Sequence, residues 1–211
     1  IGLGLNLFES RSSLIPKLVM LHNSNKIFQL GLVFVPWVTV LSLFAIGNIN
    51  NPNFWLDESG QFWIANGLNH SSPPHSPPGG IIDVFRNNAT NNLDPGGFSI
   101  LLHFWLKIST QPWFLRLLPF TFFVFAMIVI SRLSKIWFPD LFLANYAGFI
   151  LLFSDLNKYY AFELRPYSLE MFTALLSVYL CYKFPRWISE KRLALLAGIT
   201  LGLLSTSRYS A

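Results

Sequence analysis

The stretch that decides the fold is IFQLGLVFVPWVTVLSLFAI, residues 27–46. It contains no charged side chain. A bilayer-spanning helix needs about 20 predominantly apolar residues, within a range of roughly 17–25. This run qualifies outright. Working outward, further apolar runs lie at 96–108, 113–130, 141–153, 166–182 and 193–204. Runs 113–130 and 166–182 qualify narrowly, and 141–153 spans only if it continues through 159–162. Run 193–204 ends close to the last residue given. Run 96–108, 13 residues interrupted by His103 and ended by Lys107, is the doubtful one.

Composition agrees. Of the 211 residues 53% are hydrophobic and only 12% charged, against about 25% charged in ordinary domains; mean hydropathy is +0.46. Disorder, coiled coil and collagen are excluded, and a soluble globule is disfavoured. The 21 Phe and 7 Trp suit lipid-facing helices with aromatic girdles. The single cysteine, Cys181, leaves no internal disulfide framework and no cysteine-rich zinc site. The formal charge of +5 is spread as flanks of apolar runs, not gathered in a stripe, so no nucleic-acid partner is expected. The expected fold is all-α: a polytopic transmembrane helix bundle in a lipid bilayer.

Position 1 is Ile, and the final residues follow directly on an apolar run. The chain is therefore expected to be a piece of something longer, incomplete at its C-terminus. Residues 1–26 hold Arg11, Lys17 and Lys26 and lack a small-residue cleavage site before the next run. They read as a cytoplasmic segment ahead of a signal anchor, and residues 27–211 as the transmembrane module.

Loop charge sets the orientation, because Lys and Arg favour the cytoplasmic side of short loops. With 96–108 lying on the outer surface, nine of the 15 Lys and Arg face the cytoplasm. Were it to span, the Arg132/Lys135 turn and the loop holding Lys183, Arg186, Lys191 and Arg192 would both move outside. The first arrangement wins. It gives a first outer loop at 47–112, a second at 154–165, and seven of the ten carboxylates at or near one outer face. Within the first loop, 71–80 reads as a flexible Ser/Pro linker and 87–92 as polar and turn-rich. Residues 58–66, closed by Gly67, and 96–108 read as interfacial helices.

Three constellations carry candidate chemistry. Asp57 and Glu58 follow the first span. Asp57 reads as a helix N-cap with Glu58 in the first turn, and a rigidly aimed acid pair at a membrane surface suits accepting a proton from a hydroxyl or amine. The string from Asp155 to Ser168 places Lys158, Tyr159, Glu163, Arg165 and Tyr167 between two spans, where ionisable residues are costly and functional candidates by default. Arg165 suits a phosphate through its planar fork. A Glu163–Arg165 ion pair pinning two helices is the bland alternative, and Glu163, Tyr167 and Glu170 share a face if the helix begins early enough. Third, His103 and Lys107 lie at i and i+4, with Asp94 upstream. His with carboxylates can hold a divalent ion, so a divalent metal is a candidate cofactor, although no familiar ligand spacing is present. A hydrogen-bonded interfacial His103 and a snorkelling Lys107 are the simpler reading. Two short glycosylation sequons, Asn69-His70-Ser71 and Asn88-Ala89-Thr90, fall in the same loop.

Taken in order, these strings resemble the N-terminal module of GT-C type integral-membrane glycosyltransferases, the broad family of protein O-mannosyltransferases and lipid A aminoarabinose transferases. Asp57-Glu58 is similar to the family's acidic pair in the first outer loop. The stretch from Asp94 to Lys107 is similar to its juxtamembrane segment, with Pro95-Gly96-Gly97 in place of a double proline and a Ser/Pro insertion upstream. Arg116-Leu117-Leu118-Pro119 resembles the arginine-led opening of the next span. Tyr159 to Ser168 resembles its tyrosine–glutamate–arginine–tyrosine string. The resemblance covers roughly residues 54–182. It implies transfer of a sugar from a polyprenyl-phosphate carrier to a lipid, glycan or protein acceptor at the non-cytoplasmic face, by inverting single displacement. Asp57, Glu58 and Glu163 would be catalytic. Arg165, Lys158 and Lys107 would hold the donor phosphate, and Tyr159, Tyr167, His103 and Asp94 would bind substrate. A bacterial inner membrane is preferred to the endoplasmic reticulum. The rival is a transporter or flippase subunit, which would place charges near the midplane within repeated halves; no repeat is visible. A non-catalytic membrane scaffold is the third reading.

Overall fold

A computed structural model describes residues 34–69, 71–73, 75–91, 96–138, 141–187 and 191–204. Asp94 lies outside them, as do His70 and part of the run at 27–46. The described residues form helices and no strand, so the chain is all-α. It divides into two compact units after Gly47. The first contributes helix α1, Phe34–Asn48, all but its last residue.

The second unit contains α2 (Leu56–Ala65), α3 (Ile81–Asn91), α4 (Gly97–Leu106), α5 (Pro112–Trp137), α6 (Leu141–Tyr146), a 3₁₀ segment (Ala147–Phe153), α7 (Asp155–Tyr160), α8 (Tyr167–Trp187) and α9 (Lys191–Leu204). Pro112 opens α5, a position that wastes no hydrogen bond because the N1 amide has no helical partner. At 26 residues α5 is long and apolar enough to cross a membrane, and it is the one such helix among the described residues. At 1.5 Å per residue it is about 39 Å long, more than the ~30 Å hydrocarbon core. Helix α8 has 21 residues but carries Glu170 and Lys183 within them and falls short of α5 in apolarity.

Three expectations are corrected here. Run 141–153 is not a single span: α6 gives way to 3₁₀ at Ala147, and Ser154 ends the element by accepting the Asn157 amide at 3.3 Å. Ser131 of α5 holds that break, donating to the Asn145 carbonyl and accepting from the Gly148 amide, each at 3.1 Å. Second, the stretch at 87–92, expected to be turn-rich, is helical through Asn91 as the end of α3. Third, the linker is pinned at both ends. Gly67 follows α2 with φ +72°, and its missing Cβ would sit 2.8 Å from the Gly79 Cα. Gly79 then donates to the Asn66 carbonyl at 2.7 Å, and Asp83 caps α3 by accepting from the Gly80 amide at 2.9 Å.

The core joins α2, α4, α5 and the turn into α8 through Ala65, Phe98, Leu102, Leu106, Leu115, Leu118, Leu164 and Leu169. Inside it runs a polar chain. Gln61 donates to Ser99, and Ser99 donates to Asn88, both at 2.7 Å. All three residues are buried, which is tolerable because each polar atom in the chain has its partner. It locks α2, α4 and α3 together and fixes the platform from which Glu58 points. The sequon asparagine Asn88 is only 2% exposed and unreachable in this fold. The Asn69 amide donates to Asn87 at 3.3 Å.

Candidate functional site

Glu58 is at the third position of α2 and is 2% exposed. Its Oε1 accepts from Arg116 Nε at 3.2 Å and from the Leu164 amide at 2.9 Å. Its Oε2 accepts from Arg116 Nη2 at 2.8 Å and, more loosely, from the Trp55 amide at 3.4 Å. Arg116, one turn into α5 and 3% exposed, also donates to the Asn51 and Asn53 carbonyls and stacks over Phe54 at 5.4 Å. Two buried ions are tolerated because nearly every donor and acceptor is filled. The pair ties the extended entry at 51–55, α5 and the turn at 161–166 into one junction. Glu58 is therefore occupied in holding the site.

Asp57 is not the helix cap. The helix begins two residues earlier, with Trp55 at the N-cap and Asp57 in the first turn. Asp57 is half-buried and makes no hydrogen bond or ion pair among the described residues. Its charge lies in the first turn, favourable to the helix N-terminus, and also acts on Glu163.

Glu163 lies in the turn between α7 and α8. The pattern that would put it on the face of α8 with Tyr167 and Glu170 does not form, because α8 begins at Tyr167 after Pro166. Instead the turn folds inward. Glu163 is 4% exposed, and its Oε2 has no hydrogen-bond partner. Burial pushes its pKa up to about 7; the charges of Glu58 and Asp57 push the same way, and Arg165 opposes them. The alternative, a Glu163–Arg165 ion pair, does not form among the described residues. Arg165 leaves its Nε unpartnered and stacks over Tyr167 at 5.8 Å, while Tyr167 packs on Tyr160 at 4.3 Å.

A cleft of about 160 Å³ opens here, lined by Asn48, Asn51, Trp55, Glu58, Arg116, Lys158, Tyr159, Phe162 and Glu163. Lys158 reaches it from α7 while pairing with exposed Asp155 at 2.7 Å, which holds the Asp155 carboxyl below its usual range. Tyr159 and Trp55 face each other at its lip, 6.5 Å between ring centres, and both are exposed. The Tyr159 phenol is raised by partial desolvation and then by the Glu163 charge.

His103 and Lys107 do not join this cleft. Both line a second pocket of about 410 Å³ between the end of α2, the start of α3 and α4. His103 Nδ1 lies 2.8 Å from the Ala65 carbonyl. A carbonyl only accepts, so Nδ1 carries the proton and donates. Among the described residues no three His, Cys, Asp or Glu are placed to hold a metal ion.

The structure thus unites Glu58, Glu163, Lys158 and Tyr159, brings Asp57 within electrostatic reach, turns Arg165 and Tyr167 toward each other, and separates His103 and Lys107. It adds Arg116. The available signal was an arginine inside an apolar run, which demands a buried partner. No protein family, curated protein or solved structure matches this chain.

Proposed function

We propose that the chain is the N-terminal part of a polytopic membrane glycosyltransferase. It would move a sugar from a polyprenyl-phosphate carrier to an acceptor at the non-cytoplasmic face, with inversion. The observation that carries this reading is Glu163: a buried carboxylate with an unpartnered oxygen, poised near neutral pH at a cleft that also holds a lysine. A general base works best when its pKa lies near the operating pH. In the proposed reaction, Glu163 takes the proton of the acceptor hydroxyl as its oxygen bonds to the anomeric carbon. The bond from that carbon to the carrier phosphate breaks, and its electron pair leaves with the phosphate. Lys158 meets the developing phosphate charge, with the Arg165 guanidinium in support. Asp57 and Glu58 keep the neighbourhood negative and so raise the basicity of Glu163, and Trp55 with Tyr159 offers an aromatic lip for a sugar ring. The buried Glu58–Arg116 pair positions the parts.

The test is sugar transfer by the full-length protein from a polyprenyl-phosphate donor, normalised to inserted protein. Glu163→Gln keeps the shape and removes the proton acceptor, so transfer should fall by about 10²–10⁴-fold. Asp57→Asn separates the two candidate bases: a modest loss leaves Glu163 as the base, and a loss as deep as that of Glu163→Gln gives Asp57 the role. Near-normal transfer by both variants would refute the reading. Orientation is checked with single cysteines at Leu156, for the outer face, and Lys191, for the cytoplasm, both exposed, in a Cys181→Ser background.

A further inference from the structure

Helix α3 buries Val84 but turns its other large apolar side chains outward. Its asparagines Asn87 and Asn88 are buried, whereas Ile81, Ile82 and Phe85 are 38%, 69% and 50% exposed. An amphipathic helix normally buries its apolar face, so an outward apolar face at i, i+1 and i+4 is a candidate contact surface. Helix α4 presents Phe104 in the same way, 50% exposed. Between them lies the second pocket, whose lining includes Ile81 and Phe104, the cation Lys107, the imidazole of His103, the hydroxyl of Thr110 and, among the described residues, no carboxylate; Asp83 stands at its edge, accepting from the Gly80 amide. With His103 Nδ1 committed to the Ala65 carbonyl, its Nε2 is the ring atom left for a ligand. Thr110 stands two residues before Pro112, where α5 begins, which puts the pocket at the mouth of the membrane-length helix.

We propose that this pocket holds the phosphate of a membrane phospholipid, with its acyl chains along Ile81 and Phe104 and the apolar face of α3 seated in the bilayer interface. The proposal rests on the membrane placement given above and not on sugar transfer. Lys107 supplies the charge, as lysines at a membrane surface do when their stems lie on apolar residues; its Nζ already sits 5.0 Å from the centre of the Phe104 ring. Thr110 and His103 supply directional contacts to phosphate oxygens. The exposed isoleucines and phenylalanines supply the apolar depth that interfacial helices use.

Two measurements on the full-length protein test this. In nanodiscs with brominated acyl chains, fluorophores are placed singly at Phe85→Cys and at Ile128→Cys on α5, in the Cys181→Ser background. Both labels should be quenched. Quenching at 128 without quenching at 85 overturns this inference and leaves the membrane reading standing; no quenching at 128 overturns both. In native mass spectrometry of the detergent-purified protein, one dioleoylphosphatidic acid should be retained. Lys107→Gln should cut retention about tenfold, the loss of one charge-assisted contact, and Lys107→Arg should restore it. Equal retention of dioleoylglycerol, which lacks the phosphate, would overturn the phosphate site. Equal binding of glycerol 3-phosphate would overturn the lipid and show a soluble phosphate ligand in its place.

Discussion

Replacing Arg116 by Met removes the one side-chain cation among the described residues that touches Glu58. The Glu58 carboxylate is 2% exposed and would keep only the Leu164 and Trp55 amides as donors. An uncompensated buried charge costs about 3–5 kcal/mol. Glu58→Gln strands the opposite charge, on an Arg116 that is 3% exposed, at a similar cost of about 3–5 kcal/mol. Were the two residues independent, the double variant would lose about 6–10 kcal/mol, the sum of the single losses. It should instead lose only about 1–3 kcal/mol. The amide side chain introduced by Glu58→Gln can still accept from the Leu164 amide, no ion is left buried, and what remains unsatisfied is chiefly the Asn51 and Asn53 carbonyls. The assay is denaturant unfolding of the four detergent-purified proteins, read as a double-mutant cycle. Costs that add to within about 0.5 kcal/mol would refute the claim that this pair holds the junction.

Glu163 gives a pH dependence with a definite sign. Its folded pKa is raised from 4.5 to about 7, so the unfolded chain gives up this proton first. Stability should fall as pH rises from about 4.5 to about 7, by about 3 kcal/mol in all. Glu163→Gln should flatten that part of the stability profile, and an unchanged slope would contradict the assignment. Ser99→Ala should cost about 1–3 kcal/mol, because it takes a partner from both the Gln61 amide and the Asn88 carbonyl oxygen, and thermal unfolding reads it directly. Gly67→Ala should cost about 1–2 kcal/mol or more, since it forces a Cβ against the Gly79 Cα at positive φ. A neutral melting temperature would show that the 67–79 closure is slack.

Much of the helical layout was legible in the sequence because it depends on neighbours. The apolar run at 113–130 announced α5, the short run at 96–108 announced a short helix, and Gly67 marked the end of α2. Where local pattern competed with long-range contacts, it misled. The asparagine-rich stretch at 87–92 reads as turn because Asn is a weak helix former, yet Ser99 and Asn69 supply partners that let α3 form with those asparagines inward. Spacing places Glu163 on a helix with Tyr167 and close to Arg165, but the turn before Pro166 buries it and leaves its oxygen unpartnered.

The sequence alone determined the all-α character, the start and apolarity of α5, and the concentration of ionisable groups in the connections, because composition and periodicity act within a few residues; that α5 runs on to Trp137 was not legible. Only the tertiary structure decided which carboxylate is occupied and which is free. Glu58 meets a cation 58 positions away and an amide 106 positions away, and no local pattern encodes those meetings. It likewise decided that His103 and Lys107 belong to a different pocket from Glu163. His103 is tied to the Ala65 carbonyl, at the opposite end of α2 from Glu58, so the two pockets form at the two ends of that helix.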